Sequence, residues 1–319
     1  MSTSENKADA SQKQESRFTL DRAIEVLENL RQAKSGLRNK GELRGQVMRG
    51  RAEKLLTRTM SGTIYTAVVL ACIFAGKLPT ALCITAMSWL CCSEFYRIAR
   101  MSGRAPHEIF GLGAAIVYPV SVYFWGFAAS SFFIFIHMLL LAIWYVLTPR
   151  ANLADVAISI FGPLYTSLMF SSVILIRNSD PGLTGALLTF GIMGSIWAND
   201  ATAYFVGSRF GAHKLAPKIS PHKSWEGFYG GLAGSVLVWI IVGILGLKGI
   251  HIGYAVLCGF LVGISSVMGD LFESRIKRGV GVKDSGNFMP GHGGLLDRSD
   301  SMLFGCMVAY ILLRIGGIL

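Results

Sequence analysis

Asp270–Asp300, DLFESRIKRGVGVKDSGNFMPGHGGLLDRSD, is the most polar stretch of a chain that is otherwise apolar. It holds five acids, five bases, one histidine and six glycines, with apolar runs on both sides. Charges gathered between two membrane-length apolar runs are too costly to serve stability alone, so the stretch reads as a site. Its carboxylates suit a hard cation, and its bases and glycine-backed amides suit phosphate. Phosphate chemistry at a membrane surface is the reading that the rest of the chain has to support.

The composition agrees. The chain has 319 residues, 52% hydrophobic and 15% charged, with a mean hydropathy of +0.50. Soluble domains carry about 25% charged residues. The fold class expected is all-α: a polytopic integral membrane helix bundle, with one membrane-embedded domain at 61–319. Six cysteines (Cys72, Cys83, Cys91, Cys92, Cys258, Cys306) sit in apolar runs without metal-type spacing and read as small core residues. The first 15 residues are polar, so no cleavable signal is expected.

The net charge of +11 is unevenly placed. Residues 1–60 form a basic extension with 13 Lys and Arg against 8 Asp and Glu before Met60. Phe18, Leu20, Ile24, Leu27 and Leu30 recur near helical spacing within it, which predicts an amphipathic helix over 17–35. The extension lacks aromatic-basic interleaving, so nucleic acid is not the expected partner. A topology-setting tail or a lipid-surface helix accounts for it.

Nine apolar segments follow, at about 62–76, 78–96, 109–127, 130–148, 154–176, 184–207, 228–247, 252–272 and 301–318. Each approaches the roughly 20 residues that a bilayer core requires. With nine spans, 26 of the 30 Lys and Arg residues fall on the side of the N-terminal extension. The positive-inside rule makes that side the cytoplasm. A multi-pass protein of the cell membrane, its N-terminus inside and its polar loops 208–227 and 273–300 facing the cytoplasm, is the expectation.

That topology brings Asp200, Asp270, Asp297 and Asp300 to similar depth below one surface. Asp270 and Asp297 are the candidate ligands for Mg²⁺, with Asp200 and Asp300 available for a second cation or for orienting the bases. Lys277, Arg278 and Lys283 can neutralise phosphate oxygens. Ser220, Lys223 and Ser224 precede segment seven and suit an oligophosphate at a helix N-terminus. GxxxxGK[ST] is missing, which excludes a P-loop. Gly227, Gly230, Gly231 and Gly234 make two overlapping GxxxG patterns, expected to serve helix packing, with a phosphate loop as the sharper alternative. Glu94, near the inner end of segment two, can cap a helix, pair with Arg97 or face the site.

These residues resemble the phosphatidate cytidylyltransferase family. The match runs through Ser274-x-Ile276-Lys277-Arg278, Lys283-Asp284 and Pro290-x-His292-Gly293-Gly294-x-x-Asp297-Arg298-x-Asp300. It continues upstream in Asn199-Asp200, Ala203-Tyr204, His213-Lys214-Leu215, Ile219-Ser220-Pro221, Lys223 and Glu226-Gly227. Met289 and Ser299 depart mildly from the family pattern. His222 and Ser224 stand where Lys and Thr are usual, leaving one lysine fewer for nucleotide phosphates. The resemblance covers about 60–319 and implies transfer of CMP from CTP to phosphatidate with Mg²⁺, giving CDP-diacylglycerol and pyrophosphate. It further implies His292 among the catalytic residues, Asn199 and Glu226 among the nucleotide-binding ones, and a homodimer. A CTP-dependent lipid kinase and a membrane transporter are the alternatives from other classes.

Overall fold

A computed structural model describes Leu27 and residues 59–289 and 293–319. The amphipathic helix expected over 17–35 and the candidate His292 lie outside the described residues. Helix α1 runs over Thr59–Ala75. It is followed by α2 (Lys77–Met101), α3 (Glu108–Trp125), α4 (Phe127–Leu147), α5 (Leu153–Pro163), α6 (Ser172–Asn178) and α7 (Leu183–Phe210). A short hairpin of β1 (Lys214–Ala216) and β2 (Ser220–Ser224) leads into α8 (Trp225–Ile244), α9 (Ile252–Gly279) and α10 (Leu296–Ile315).

The described residues are mostly helical, and among them six stretches are long and apolar enough to cross a membrane: α2, α3, α4, the composite Leu153–Asn178, α8 and α9. The remaining three expected segments differ for visible reasons. Helix α1 is short, and α7 and α10 carry the acids Asp200, Asp297 and Asp300 within their length. Helix α4 shows most of its surface, as a lipid-facing helix would; Phe132, Phe135, Val146 and Leu147 are all exposed.

Two features depart from the helix-only expectation. The first is the hairpin, which pairs antiparallel with Lys214 opposite Ser224 and Ala216 opposite Ser220. Pro217 sits in its turn and Pro221 on its edge, where proline costs no ladder bond. The second is a break in the segment expected as one helix over 154–176. Helix α5 ends at Pro163, a π-turn covers Leu164–Leu168, and α6 resumes at Ser172. Proline lacks the N–H that would bond the carbonyl four residues back. That carbonyl belongs to Ser159, and the buried Tyr96 hydroxyl donates to it at 2.7 Å instead.

Helices α7 and α8 pack closely along the glycine pattern. A Cβ on Gly231 would meet the Asn199 carbonyl at 3.0 Å, and one on Gly227 would meet the Ala203 carbonyl at 2.8 Å. The glycines therefore serve helix approach, and α9 packs between α8 and α10. At the far end of the bundle, three bases close the carbonyls around the end of α6. Lys77 donates to Asn178 O at 3.0 Å, Lys248 to Ser179 O at 2.8 Å, and Arg177 to Ile73 O and Asp180 O at 2.9 Å each. All six cysteines are free, and four of them are buried in the core.

Tyr96→Phe removes the hydroxyl and leaves the Ser159 carbonyl buried without a donor. The expected loss is about 1–3 kcal/mol of stability, read as a lower melting temperature of the purified protein in detergent. An unchanged melting temperature would contradict this account of the α5 break.

Candidate active site at one end of the bundle

The C-terminal halves of α7 and α9 and the N-terminal ends of α1, α8 and α10 meet at one end of the bundle around a cavity of about 930 Å³. Both polar motifs of the sequence contribute to its wall. Asp200, Asp270, Asp297 and Asp300 line it, as do Lys223, Ser224, Lys277, Arg278 and Lys283. Asp284, Lys214, His222 and Tyr65 also face it, and the sequence reading had assigned none of these to the site. Asn199, Ser220 and Glu226 do not line it.

The floor is an ion network at the crossing of α9 and α10. Lys277 Nζ lies 2.5 Å from Glu273 Oε2 and 2.5 Å from Asp297 Oδ1. Glu273 is fully buried, and Asp297 and Lys277 nearly so. Glu273 and Lys277 are four apart on one helix face, the spacing that favours such a pair. That spacing was visible in the sequence, but Glu273 was not among the candidates drawn from it. With its ammonium between two carboxylates, Lys277 acts within the protein, while Arg278, one residue on and turned about 100°, is exposed and donates to Val282 O at 2.8 Å.

Asp297 has further partners. Its carboxylate accepts from Ser285 N at 2.9 and 3.1 Å and from Gly294 N at 2.7 Å. Asp297 sits in the polar turn ahead of the apolar part of α10. Burial works against its charge, but Lys277 and the amides of Gly294 and Ser285 outweigh that and hold the carboxyl below the usual carboxylate range. Asp270 is more open: Oδ2 pairs with Lys223 at 2.7 Å across the cavity, and Oδ1 accepts from Ser274 Oγ at 3.1 Å. Asp200 lies within electrostatic reach of Asp270 and Lys223, and Asp300 within reach of Asp200 and Asp270.

Of the glycine-backed amides expected to hold phosphate, that of Gly294 is taken by Asp297. Glu94 of α2 is buried and accepts from Leu295 N at 3.0 Å, Leu296 N at 2.8 Å and Ser285 Oγ at 2.9 Å. Of the three roles open to Glu94 in the sequence, the structure selects the helix cap, on α10.

The upstream candidates also divide. Ser224 caps α8, its hydroxyl accepting from Gly227 N at 3.1 Å, and Lys223 points across to Asp270. Glu226 holds the hairpin to α8 through His213 Nδ1 at 2.6 Å. Asn199 is fully buried against Gly231 and Gly263, because one residue of helix turns it from the cavity face that Asp200 occupies to the α8 face.

The cavity wall offers oxygen donors from four carboxylates, the ligand type that Mg²⁺ takes one or two of. Among the described residues no three His, Cys, Asp or Glu side chains gather closely enough to form a complete ligand set. Any cation held here would be completed by water and substrate oxygens, the usual condition of Mg²⁺.

Lys277→Met should leave Glu273 and Asp297 buried without their counter-charge and cost roughly 3–5 kcal/mol. Adding Glu273→Gln should recover part of that loss. Thermal unfolding of the two variants in detergent checks both statements, and equal melting of Lys277→Met and the parent would refute the network's role.

Comparison with known proteins fits this site. The model of the Cytidylyltransferase family matches residues 56–316. A phosphatidate cytidylyltransferase of Bacillus subtilis (strain 168) is 33% identical over 264 residues, covering 81% of this chain and 97% of that one. Another, of Brucella abortus biovar 1 (strain 9-941), is 40% identical over 151 residues, 47% of this chain and 54% of that one. A third, of Mycobacterium bovis, is 36% identical over 168 residues, 53% of this chain and 54% of that one. By the extent of the family match and the near-complete coverage of the Bacillus protein, the chain belongs to the cytidylyltransferase family.

Proposed function

We propose that the protein transfers CMP from CTP to phosphatidate, forming CDP-diacylglycerol and pyrophosphate. The observation that carries this reading is that two motifs far apart in the chain line one cavity with four carboxylates and several bases. Membership of the cytidylyltransferase family and the names of the relatives point the same way. A phosphatidate phosphate oxygen attacks the α-phosphorus of CTP; the new P–O bond forms as the bond to the bridging oxygen breaks, and pyrophosphate leaves with that electron pair. The nucleophile is already anionic, so no strong base is required. The protein's task is to bring two polyanions together and stabilise charge on the phosphorus and the leaving group.

In this proposal Lys223 and Ser224 hold the CTP phosphates, and Lys283 neutralises charge on the departing pyrophosphate. Arg278 takes the lipid phosphate with its planar fork. Lys277 fixes Asp297 rather than touching substrate. Asp270, with Asp297, Asp200 and Asp300 around it, holds Mg²⁺. A cation held there would supply polarisation of the α-phosphate. We further propose nine spans, with residues 1–60 and the cavity on the cytoplasmic side of the cell membrane, supported by the placement of 26 of 30 Lys and Arg residues.

Purified protein given Mg²⁺, CTP and phosphatidate should yield a lipid heavier by one CMP unit, read by mass spectrometry, with stoichiometric pyrophosphate. Gain of a single phosphate on a lipid alcohol, or no lipid change beside an active control enzyme, would overturn the reading. Asp270→Ala should lower kcat about 1000-fold or more, the several kcal/mol a catalytic cation contributes, while the protein still inserts. Turnover within a few-fold of the parent would refute the cation's place at Asp270.

A further inference from the structure

We infer that Glu94, which lies outside the cavity wall, is a positioning residue for the reaction. Its buried carboxylate on α2 holds the turn between α9 and α10 in its working shape. The inference rests on the reaction proposed above.

Ser285 and Gly294–Leu296, the two ends of the turn, are held by two carboxylates at once. Asp297 takes the amides of Ser285 and Gly294, and Glu94 takes the amides of Leu295 and Leu296. Ser285 joins the two, because its N–H goes to Asp297 and its hydroxyl to Glu94. The first turn of a helix leaves amides without intrahelical partners, and here they are satisfied from a helix some 200 residues earlier. Among the described residues no lysine or arginine pairs with Glu94, so the turn itself stabilises the carboxylate.

The sequence of the turn is fitted to this guest. A Cβ on Gly286 would push the Glu94 carboxylate from its seat, and one on Gly294 would meet both Ser285 Oγ and that carboxylate. Gly286 and Gly294 thus make room for an anion of the protein. Ser285 follows Lys283 and Asp284 of the cavity wall, and Gly294–Leu296 lead directly into Asp297, which reaches Lys277. Displacing the turn by about 1 Å would misalign reacting groups, which costs up to about 100-fold in rate.

Glu94→Gln turns an amide NH₂ toward backbone donors, and Gly286→Ala intrudes on the seat with Glu94 retained. Both should lower kcat of the folded, monodisperse fraction about 10- to 100-fold, and Glu94→Asp should recover part of it. Hydrogen exchange should rise about tenfold in peptides covering 285–296 and stay unchanged in the body of α2 and α9. A kcat within twofold of the parent in both variants would overturn the inference. So would unchanged exchange over 285–296, or exchange raised evenly across α2, α9 and α10, which marks a general fold defect. If the parent protein makes no cytidylated lipid, the reaction assignment fails, and the exchange pattern alone then decides whether Glu94 holds the turn.

Discussion

Lys277 between Glu273 and Asp297 is the interaction on which the site depends. A buried carboxylate in a membrane bundle needs a counter-charge or donors; Lys277 shares one positive charge between two acids, and the Ser285 and Gly294 amides serve Asp297 as well. Placing one ammonium 2.5 Å from each acid ties α9 to the first turn of α10. That junction sets the depth at which Asp270, three residues before Glu273, and Asp300, three after Asp297, reach the cavity. Polar side chains on one face of each helix are thereby held where the helices end, with the apolar remainder in the bilayer.

The division of labour among charges follows from who is already engaged. Glu94, Glu226, Glu273 and Lys277 are occupied with helix ends, the hairpin or each other. Asp270 and Lys223 pair with each other across open space, at an exposure of 30% and 23%. An ion pair so placed can be exchanged for substrate and cation at little net cost, since partly exposed pairs contribute little to stability. The same surface that holds the fold together thus leaves two opposite charges ready for ligands.

Much of the architecture was legible because it follows from simple physics. The apolar segments at 78–96, 109–127, 130–148, 228–247 and 252–272 coincide with α2, α3, α4, α8 and α9, since length and hydropathy alone mark a membrane helix. The convergence of Asp200 with Asp270 and Asp297 was legible from alternation of spans. Other features were not, because they depend on contacts distant in sequence. Nothing near Glu94 announces that its partners lie at 285–296. The Pro163 break could be suspected from proline, but its repair by Tyr96 could not. The resemblance implied Asn199 among the nucleotide-binding residues, but one residue of helix turns it from the cavity face of Asp200 to a buried seat against Gly231 and Gly263. Gly294 was legible only as part of a motif, and only the fold reveals that its amide goes to Asp297 and that a Cβ there would meet Glu94.

The central claim is that one cavity at the bundle end takes the nucleotide between the hairpin and the α9–α10 turn. The most direct measurement is a structure of the protein in lipid nanodiscs with Mg²⁺ and a non-hydrolysable CTP analogue. The account predicts phosphate density between Lys223 and Asp270, with the Lys223–Asp270 pair opened and Glu94 still seated against Leu295 and Leu296. Nucleotide bound away from this cavity, or bound with the Lys223–Asp270 pair intact and no phosphate beside it, would contradict it.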